Sequence, residues 1–285
     1  MATLPSFAMR VSDVSSSNAF LIEKLGFTLT EYRPNKDIAY VLDPTDGETI
    51  LLAGPTAHDI PSYLSDQHYI AQPGDVLTIV IGDLEAWQAD LLSKGVTDFQ
   101  IKQNRIGDHI LELSVFDNYK FHYVLPATHA FGDLLNMYAR LSTELDEALA
   151  GLSEADMGLA LNEESWSIRQ IVHHIADNDI LFGEMMKVQL SSSGVVMDRP
   201  REVGNEHVTT GSEYRDRPIA SSVTLSRIFH EHILNIVKYV SDAGEHFVVG
   251  SNGRQHTFRQ IVQLVVRHTG EHLDEIWEIR RKYGK

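Results

Sequence analysis

Arg267-His268-Thr269-Gly270-Glu271-His272-Leu273-Asp274-Glu275-Ile276 is the stretch on which the fold turns. It lies inside a helical pattern running from Phe258 to about Arg281, in which Phe258, Ile261, Val265, His268, His272, Ile276 and Ile279 recur at steps of three and four. Both histidines therefore fall in the stripe expected to be buried. Residues four apart on a helix stand roughly 5–6 Å apart at Cβ, close enough for two imidazoles to reach one metal at ~2.1 Å each. Buried imidazoles need hydrogen-bond partners or a metal, because leaving them unpaired is costly. The pair alone does not choose between those two outcomes.

Working back from it, Pro126-Ala127-Thr128-His129 marks a change of composition, after which strand alternation gives way to helical spacing. Phe131, Leu134, Leu135, Tyr138, Leu141, Leu145 and Leu149 form one amphipathic pattern, ended near Gly151. A second begins after Ser167, whose spacing from Gln170 is that of a capping box, and reaches about Leu190. A polar segment from Ser191 to Ala220 follows, long for a turn within a bundle. Val223 to Val240 is the third helix, Phe247 to Gly253 a short hairpin or loop, and Thr257 with Gln260 a second capping box before the fourth helix. Arg280, Arg281 and Lys282 stand where a helix C-terminus favours positive charge. Four helices with one long connection predict a bundle.

The second helix carries Trp166-Ser167-Ile168-Arg169-Gln170-Ile171-Val172-His173-His174-Ile175-Ala176-Asp177. With the His268/His272 pair, this phrase resembles the DinB-like four-helix metalloprotein superfamily over about residues 130–280. The resemblance implies a divalent metal, zinc or nickel, held by one histidine of helix two and two of helix four, with water or substrate at the open positions. Carried onto this chain, the ligands are His174, His268 and His272, with His174 preferred to His173 by its place in the motif. Ile171, His174, Leu181 and Met185 can also share one face, whereas His173 lies nearer Arg169 and Asp177. Three neutral nitrogens leave the ion its charge and an open position, an arrangement that lowers the pKa of a bound water toward ~7. Members of the group include bacillithiol- or mycothiol-dependent transferases and isomerases, so a low-molecular-weight thiol is a further cofactor the resemblance implies. The family name refers to induction by DNA damage and does not imply DNA binding.

Other polar residues have plainer readings. Asp177, Glu271, Asp274 and Glu275 can orient a ligand histidine or act as a base, but solvated helix faces are their default. His230 and His232 are two apart on helix three, so at most one points inward. His207 lies in the long connection with nothing to select it, and Trp166 and Trp277 read as packing residues.

Before Leu125 the pattern is β-rich and repeats. Phe7 to Val11 alternates, Ser17 to Leu25 has helical spacing closed by Gly26, and strands follow at Phe27 to Tyr32, Ile38 to Leu42 and Thr49 to Ala53. The order recurs as strand Val76 to Ile81, helix Leu84 to Ser93, and strands Phe99 to Gln103, His109 to Val115 and Lys120 to Leu125. Arg10-Val11-Ser12-Asp13 with Lys24-Leu25-Gly26-Phe27, and Ile81-Gly82-Asp83-Leu84 with Ser93-Lys94-Gly95-Val96, resemble the vicinal-oxygen-chelate superfamily of glyoxalases, bleomycin-resistance proteins and extradiol dioxygenases, over nearly all of residues 5–125. Its metal-binding positions on the two first strands fall here at about Ser6 and Val76, which are not useful ligands. Glu48, Glu112 and His122 are the strand candidates and do not complete a site. What the resemblance leaves open is sequestration of a small molecule on a concave sheet, or a scaffolding role.

The expected architecture is therefore α+β: a tandem βαβββ domain over residues 1–126, then an all-α four-helix bundle over 127–285. The 24 basic and 40 acidic residues give a net charge of −16, both halves are acidic, and neither a nucleic-acid backbone nor an anionic membrane suits such a surface. Absence of cysteine excludes disulfides and thiolate chemistry. With no leader-like N-terminus or spanning apolar run, a cytoplasmic protein is the expectation. The functional expectation is a metal-dependent thiol transferase or hydrolase acting on a small molecule, in detoxification or resistance. The competing expectation is a non-catalytic sequestering protein with a structural metal. Both resemblances imply a homodimer.

Overall fold

The computed structural model describes residues 4–45, 47–65, 68–163, 165–197, 212–250 and 255–285. The chain divides into two compact units, one running to Ala127 and the other from Thr128.

The first unit holds β1 (Phe7–Arg10), α1 (Val14–Leu25), β2 (Thr28–Arg33), β3 (Ile38–Leu42), β4 (Thr49–Ala53), β5 (Tyr69–Ala71), β6 (Val76–Val80), α2 (Leu84–Ser93), β7 (Phe99–Gln103), β8 (His109–Ser114) and β9 (Lys120–Leu125). Its sheets run β2-β3-β4-β1-β5 and β6-β9-β8-β7. In each βαβββ repeat the first strand lies parallel to the last, β1 beside β4 and β6 beside β9. The repeated Asp explains the repeated sequence phrase. Asp13 caps α1 by accepting from the Ser16 N–H at 2.6 Å, and Asp83 caps α2 by accepting from the Ala86 N–H at 2.9 Å. The cap starts α1 at Val14 rather than Ser17, because Ser15 and Ser16 fall in its first turn. Gly26 ends that helix at φ 76°, a left-handed conformation that a Cβ would strain.

One core joins both repeats, with Leu21 and Leu25 of α1 and Leu91 of α2 packed among Met9, Leu52, Leu111 and Phe121. The opposite faces of the two sheets differ. Behind the five-stranded sheet, Ala8, Ile38, Leu51 and Ala53 are covered by Ala57, Ile60 and Leu64 from the segment after β4. Strand β5 lies beyond that segment and extends the sheet; three residues, Tyr69-Ile70-Ala71, carry too little alternation to announce a strand. On the corresponding face of the four-stranded sheet, Val76 and Val80 remain 49% and 48% exposed.

The second unit contains four helices among the described residues: α3 (Phe131–Leu149), α4 (Ile168–Ser191), α5 (Ala220–Val237) and α6 (Phe258–Tyr283). Both expected capping boxes form, with reciprocal side-chain and backbone bonds at Ser167/Gln170 and Thr257/Gln260. Helix α5 starts three residues before Val223 and ends at Val237. The hairpin or loop expected over Phe247 to Gly253 is a hairpin that extends further: β11 (Phe247–Val249) pairs antiparallel with β12 (Gln255–Thr257), which lies past Gly253, and β10 (Val195–Val196), where the long connection begins, adds to it in parallel. Arg280 donates to the carbonyls of Ala148 and Ala150 at 2.7 and 2.9 Å, so the end of α3 is satisfied by a side chain of α6. Helix α4 is buried almost all round, including every residue from Ile168 to Ala176. Such a helix lies at the centre of its bundle, and each fully buried aliphatic side chain on it contributes about 1.5–3 kcal/mol of apolar burial. Among the described residues no helix is long and apolar enough to cross a membrane.

Candidate metal centre

His174 of α4 meets His268 and His272 of α6, and one ring nitrogen from each lies within 4.8 Å of the others. The ring centroids are 5.1 Å apart for His174–His268, 4.9 Å for His174–His272 and 4.7 Å for His268–His272. Nε2 of His174 and Nε2 of His268 are 3.2 Å apart. Two nitrogens each ~2.1 Å from one ion and subtending roughly 100° there would be separated by about the same distance. The fit is therefore geometric as well as chemical, since an all-imidazole donor set suits zinc, nickel, copper or iron rather than magnesium or calcium.

His268 and His272 are half-buried rather than part of the buried stripe as the periodicity predicts. The stripe is formed instead by Val262, Val265, Val266, Thr269, Leu273 and Ile276, and the histidines stand at its margin. Ring nitrogens there stay reachable from solvent while their stems pack.

The surroundings orient the rings. His272 Nδ1 lies 3.3 Å from Glu275 Oε2, so the carboxylate can accept the Nδ1 proton and leave Nε2 as the lone pair. The Asn178 amide, one turn beyond His174, lies 2.9 Å from His174 Nε2 and also donates to the His174 backbone carbonyl at 3.1 Å. The backbone bond keeps that amide partnered when the ring nitrogen is otherwise engaged. Trp166 departs from its reading as a packing residue: its indole lies 4.6 Å from the His174 ring and stacks 6.0 Å from the His272 ring, forming a wall of the cluster. Asn178 and Trp166 are the site residues missed in the sequence, although the step of four from Gln170 through His174 to Asn178 was there to find.

His173 points elsewhere. Its Nε2–H donates to the Arg217 carbonyl at 2.8 Å, and its Nδ1 accepts from Ser222 Oγ at 2.8 Å. Burial pushes this imidazole below its ordinary pKa, consistent with a neutral ring that both donates and accepts. Asp177 accepts from the phenol of Tyr214, which burial first and then Asp177 itself hold protonated. Glu271 and Asp274 are exposed. His230 is the inward member of its pair, bonded to Asp179 and Ser142, and His232 is exposed. Trp277 packs under the Arg280 guanidinium at 4.8 Å, and His207 lies outside the described residues.

In the first unit Glu112 accepts from Lys102 at 2.8 Å and from His122 at 2.9 Å, with Lys120 at 3.4 Å. The Lys102 bond, opposed by burial, pulls its carboxyl down to about 2. A carboxylate so engaged is an ion-pair centre; Glu48 is exposed.

A profile of the DinB superfamily matches residues 137–276, and one of the Glyoxalase/Bleomycin resistance protein/Dioxygenase superfamily matches residues 3–117. Among solved structures, YfiT from Bacillus subtilis is 17% identical and superposes with a TM-score of 0.50 over 56% of this chain and 93% of its own. It is described as a probable metal-dependent hydrolase with an unusual four-helix bundle topology. A glyoxalase/bleomycin resistance protein/dioxygenase superfamily member from Sphaerobacter thermophilus is 20% identical, with TM-score 0.31 over 44% of this chain and 98% of its own. A glyoxalase/bleomycin resistance protein from Catenulispora acidiphila is 17% identical, with TM-score 0.33 over 44% and 100%. No curated protein matches significantly.

Proposed function

We propose that the second unit, which the DinB superfamily profile matches, is a metal-dependent enzyme whose His174, His268 and His272 hold one divalent ion, and that it is joined to a first unit matched by the Glyoxalase/Bleomycin resistance protein/Dioxygenase superfamily profile. The observation carrying this reading is the convergence of three imidazoles at the edge of a bundle core, with two of the rings still open to solvent. When bound there, zinc or nickel would supply a Lewis acid with an open coordination position, suited to hydrolysis or to transfer of a thiol. The chain's own contribution is positional. Glu275 sets the tautomer and orientation of His272, Asn178 borders His174, and the Trp166 indole keeps water from one side of the cluster. The fold likeness to YfiT makes hydrolysis the first reaction to assay, and thiol transfer the second. A role in detoxification or resistance, acting on a small molecule, follows from pairing such a bundle with the first domain.

Elemental analysis of untagged protein tests this reading. About one zinc or nickel per chain is expected in the wild type, retained in His173→Ala and lost in His272→Ala. Wild type that stays metal-free after incubation with both ions would sink it. The second reading is sequestration of a small molecule by the first domain, with the metal structural. It draws on the open sheet face bearing Val76 and Val80. Ligand binding insensitive to the histidine variants would favour it.

A further inference from the structure

Helix α4 presents two parallel ladders, each at steps of four. Gln170, His174 and Asn178 make one, and two of the three belong to the histidine cluster. Arg169, His173 and Asp177 make the other, and all three grip the end of the long connection. Arg169 donates to the Arg217 carbonyl at 3.3 Å, His173 to the same carbonyl at 2.8 Å, and Asp177 accepts from the completely buried Tyr214. The backbone between is a tight turn, in which the N–H groups of Asp216 and Arg217 both donate to the Glu213 carbonyl at 3.1 Å.

Arg215 sits inside this pinned turn. It is exposed and makes no hydrogen bond or ion pair among the described residues. It lines a cleft of about 520 Å³ with Ser165, Ser167, Gln170, Lys282 and Tyr283. The charged lining residues are Arg215 and Lys282 against Glu163, two cations to one acid, in a chain of net charge −16. One lining residue leads along α4 toward the histidines: Gln170 is four residues, ~6 Å of rise, before His174. Ser165 and Ser167 flank Trp166, whose indole touches the His174 ring. The turn holds the Arg215 backbone at the cleft, and its guanidinium presents free donors whose fork geometry matches a carboxylate or phosphate.

We infer that this cleft receives the anionic end, carboxylate or phosphate, of the substrate, with Arg215 and Lys282 as counter-charges and the reacting group directed past Trp166 to the histidines. The inference rests on the metal-enzyme reading and names the substrate class for that site.

Calorimetric titration of the zinc-loaded full chain with benzoate, phenylphosphonate and the neutral near-isostere benzamide tests it. Benzoate or phenylphosphonate is expected to bind at least about tenfold more tightly than benzamide, and Arg215→Ala to remove that advantage without changing benzamide binding or zinc content. Lys282→Gln is expected to weaken the anions in the same sense. The tighter of the two anions identifies the preferred group. The inference is overturned if the wild type shows no preference for the anions, or if Arg215→Ala leaves the preference intact. Anion binding that disappears with zinc but survives Arg215→Ala would place the anion on the metal, ending this inference while leaving the metal reading standing. If the wild type takes up no zinc, the metal reading fails separately. Anion binding by the zinc-free chain, abolished in Arg215→Ala, would then still support the cleft.

Discussion

His174 and His230 stand on neighbouring elements of one bundle and are buried to similar degrees, 7% and 2% exposed, yet their surroundings are opposite. His230 has a partner for each ring nitrogen: Asp179 Oδ1 at 3.0 Å on Nε2 and Ser142 Oγ at 2.8 Å on Nδ1. Asp179 in turn accepts from Ser226 at 2.6 Å, and Tyr138 packs over the ring at 4.6 Å. That network closes on itself and holds three helices in register. His174 faces two further imidazoles, with the Asn178 amide beside its ring, so lone-pair donors converge on one point there. A histidine answered by a carboxylate and a hydroxyl is already satisfied within the fold, whereas three histidines converging on one point form the donor set that the proposed metal would need.

The largest expected effect tests that contrast directly. His272→Ala should reduce bound metal from about one per chain to a trace, with circular dichroism unchanged, because a half-exposed ring at the stripe margin contributes little to the core. At the other cluster the expectations reverse. Asp179→Ala leaves His230 and Ser226 without their acceptor and should cost about 3–5 kcal/mol in urea denaturation while metal stoichiometry holds at a temperature where the variant is folded. Loss of metal with intact fold in Asp179→Ala would break the comparison.

A smaller effect is expected at Gly183 on the same helix, where an added Cβ would lie 2.0 Å from Phe229 Cε1. Gly183→Ala should destabilise by about 1–3 kcal/mol, read from the shift in urea midpoint, because α4 and α5 must separate to admit the methyl group. The smallest effect concerns a third histidine, His122, whose partner Glu112 is held at about 2. A carboxyl with a folded pKa below its unfolded one stabilises fully above pH ~4.5, and that contribution is lost as pH falls toward 2. Glu112→Gln should therefore flatten the acid limb of the stability curve between those values, by under ~1 kcal/mol after solvent screening.

Much of this was legible in the sequence because the determining signals are local. The two capping boxes, the four-residue step between His268 and His272, and the repeated Ser-Asp and Gly-Asp phrases before α1 and α2 each act within a turn or two of chain. Strand β5 was not legible, since its three residues become a strand only by lying beside β1. Nor was the burial of the histidines, because periodicity gives the direction of a stripe and the neighbouring helix decides where its margin falls. Trp166 precedes its helix by two residues and lies outside any helical ladder, so only the path of the chain into α4 brings its ring to the cluster. Arg215 was illegible for the same reason: its placement depends on a carbonyl gripped by two side chains of another helix.

The burial of α4 has a kinetic meaning as well. Its amide protons from Ile171 to Ala176 sit on a helix enclosed by its neighbours, so they can exchange with deuterium only when the bundle itself comes apart. Those amides should mark the slow limit of exchange for the second unit, and His174 rides on them. His268 and His272 ride on a helix with one wet face, and that is the side on which the cluster can open first.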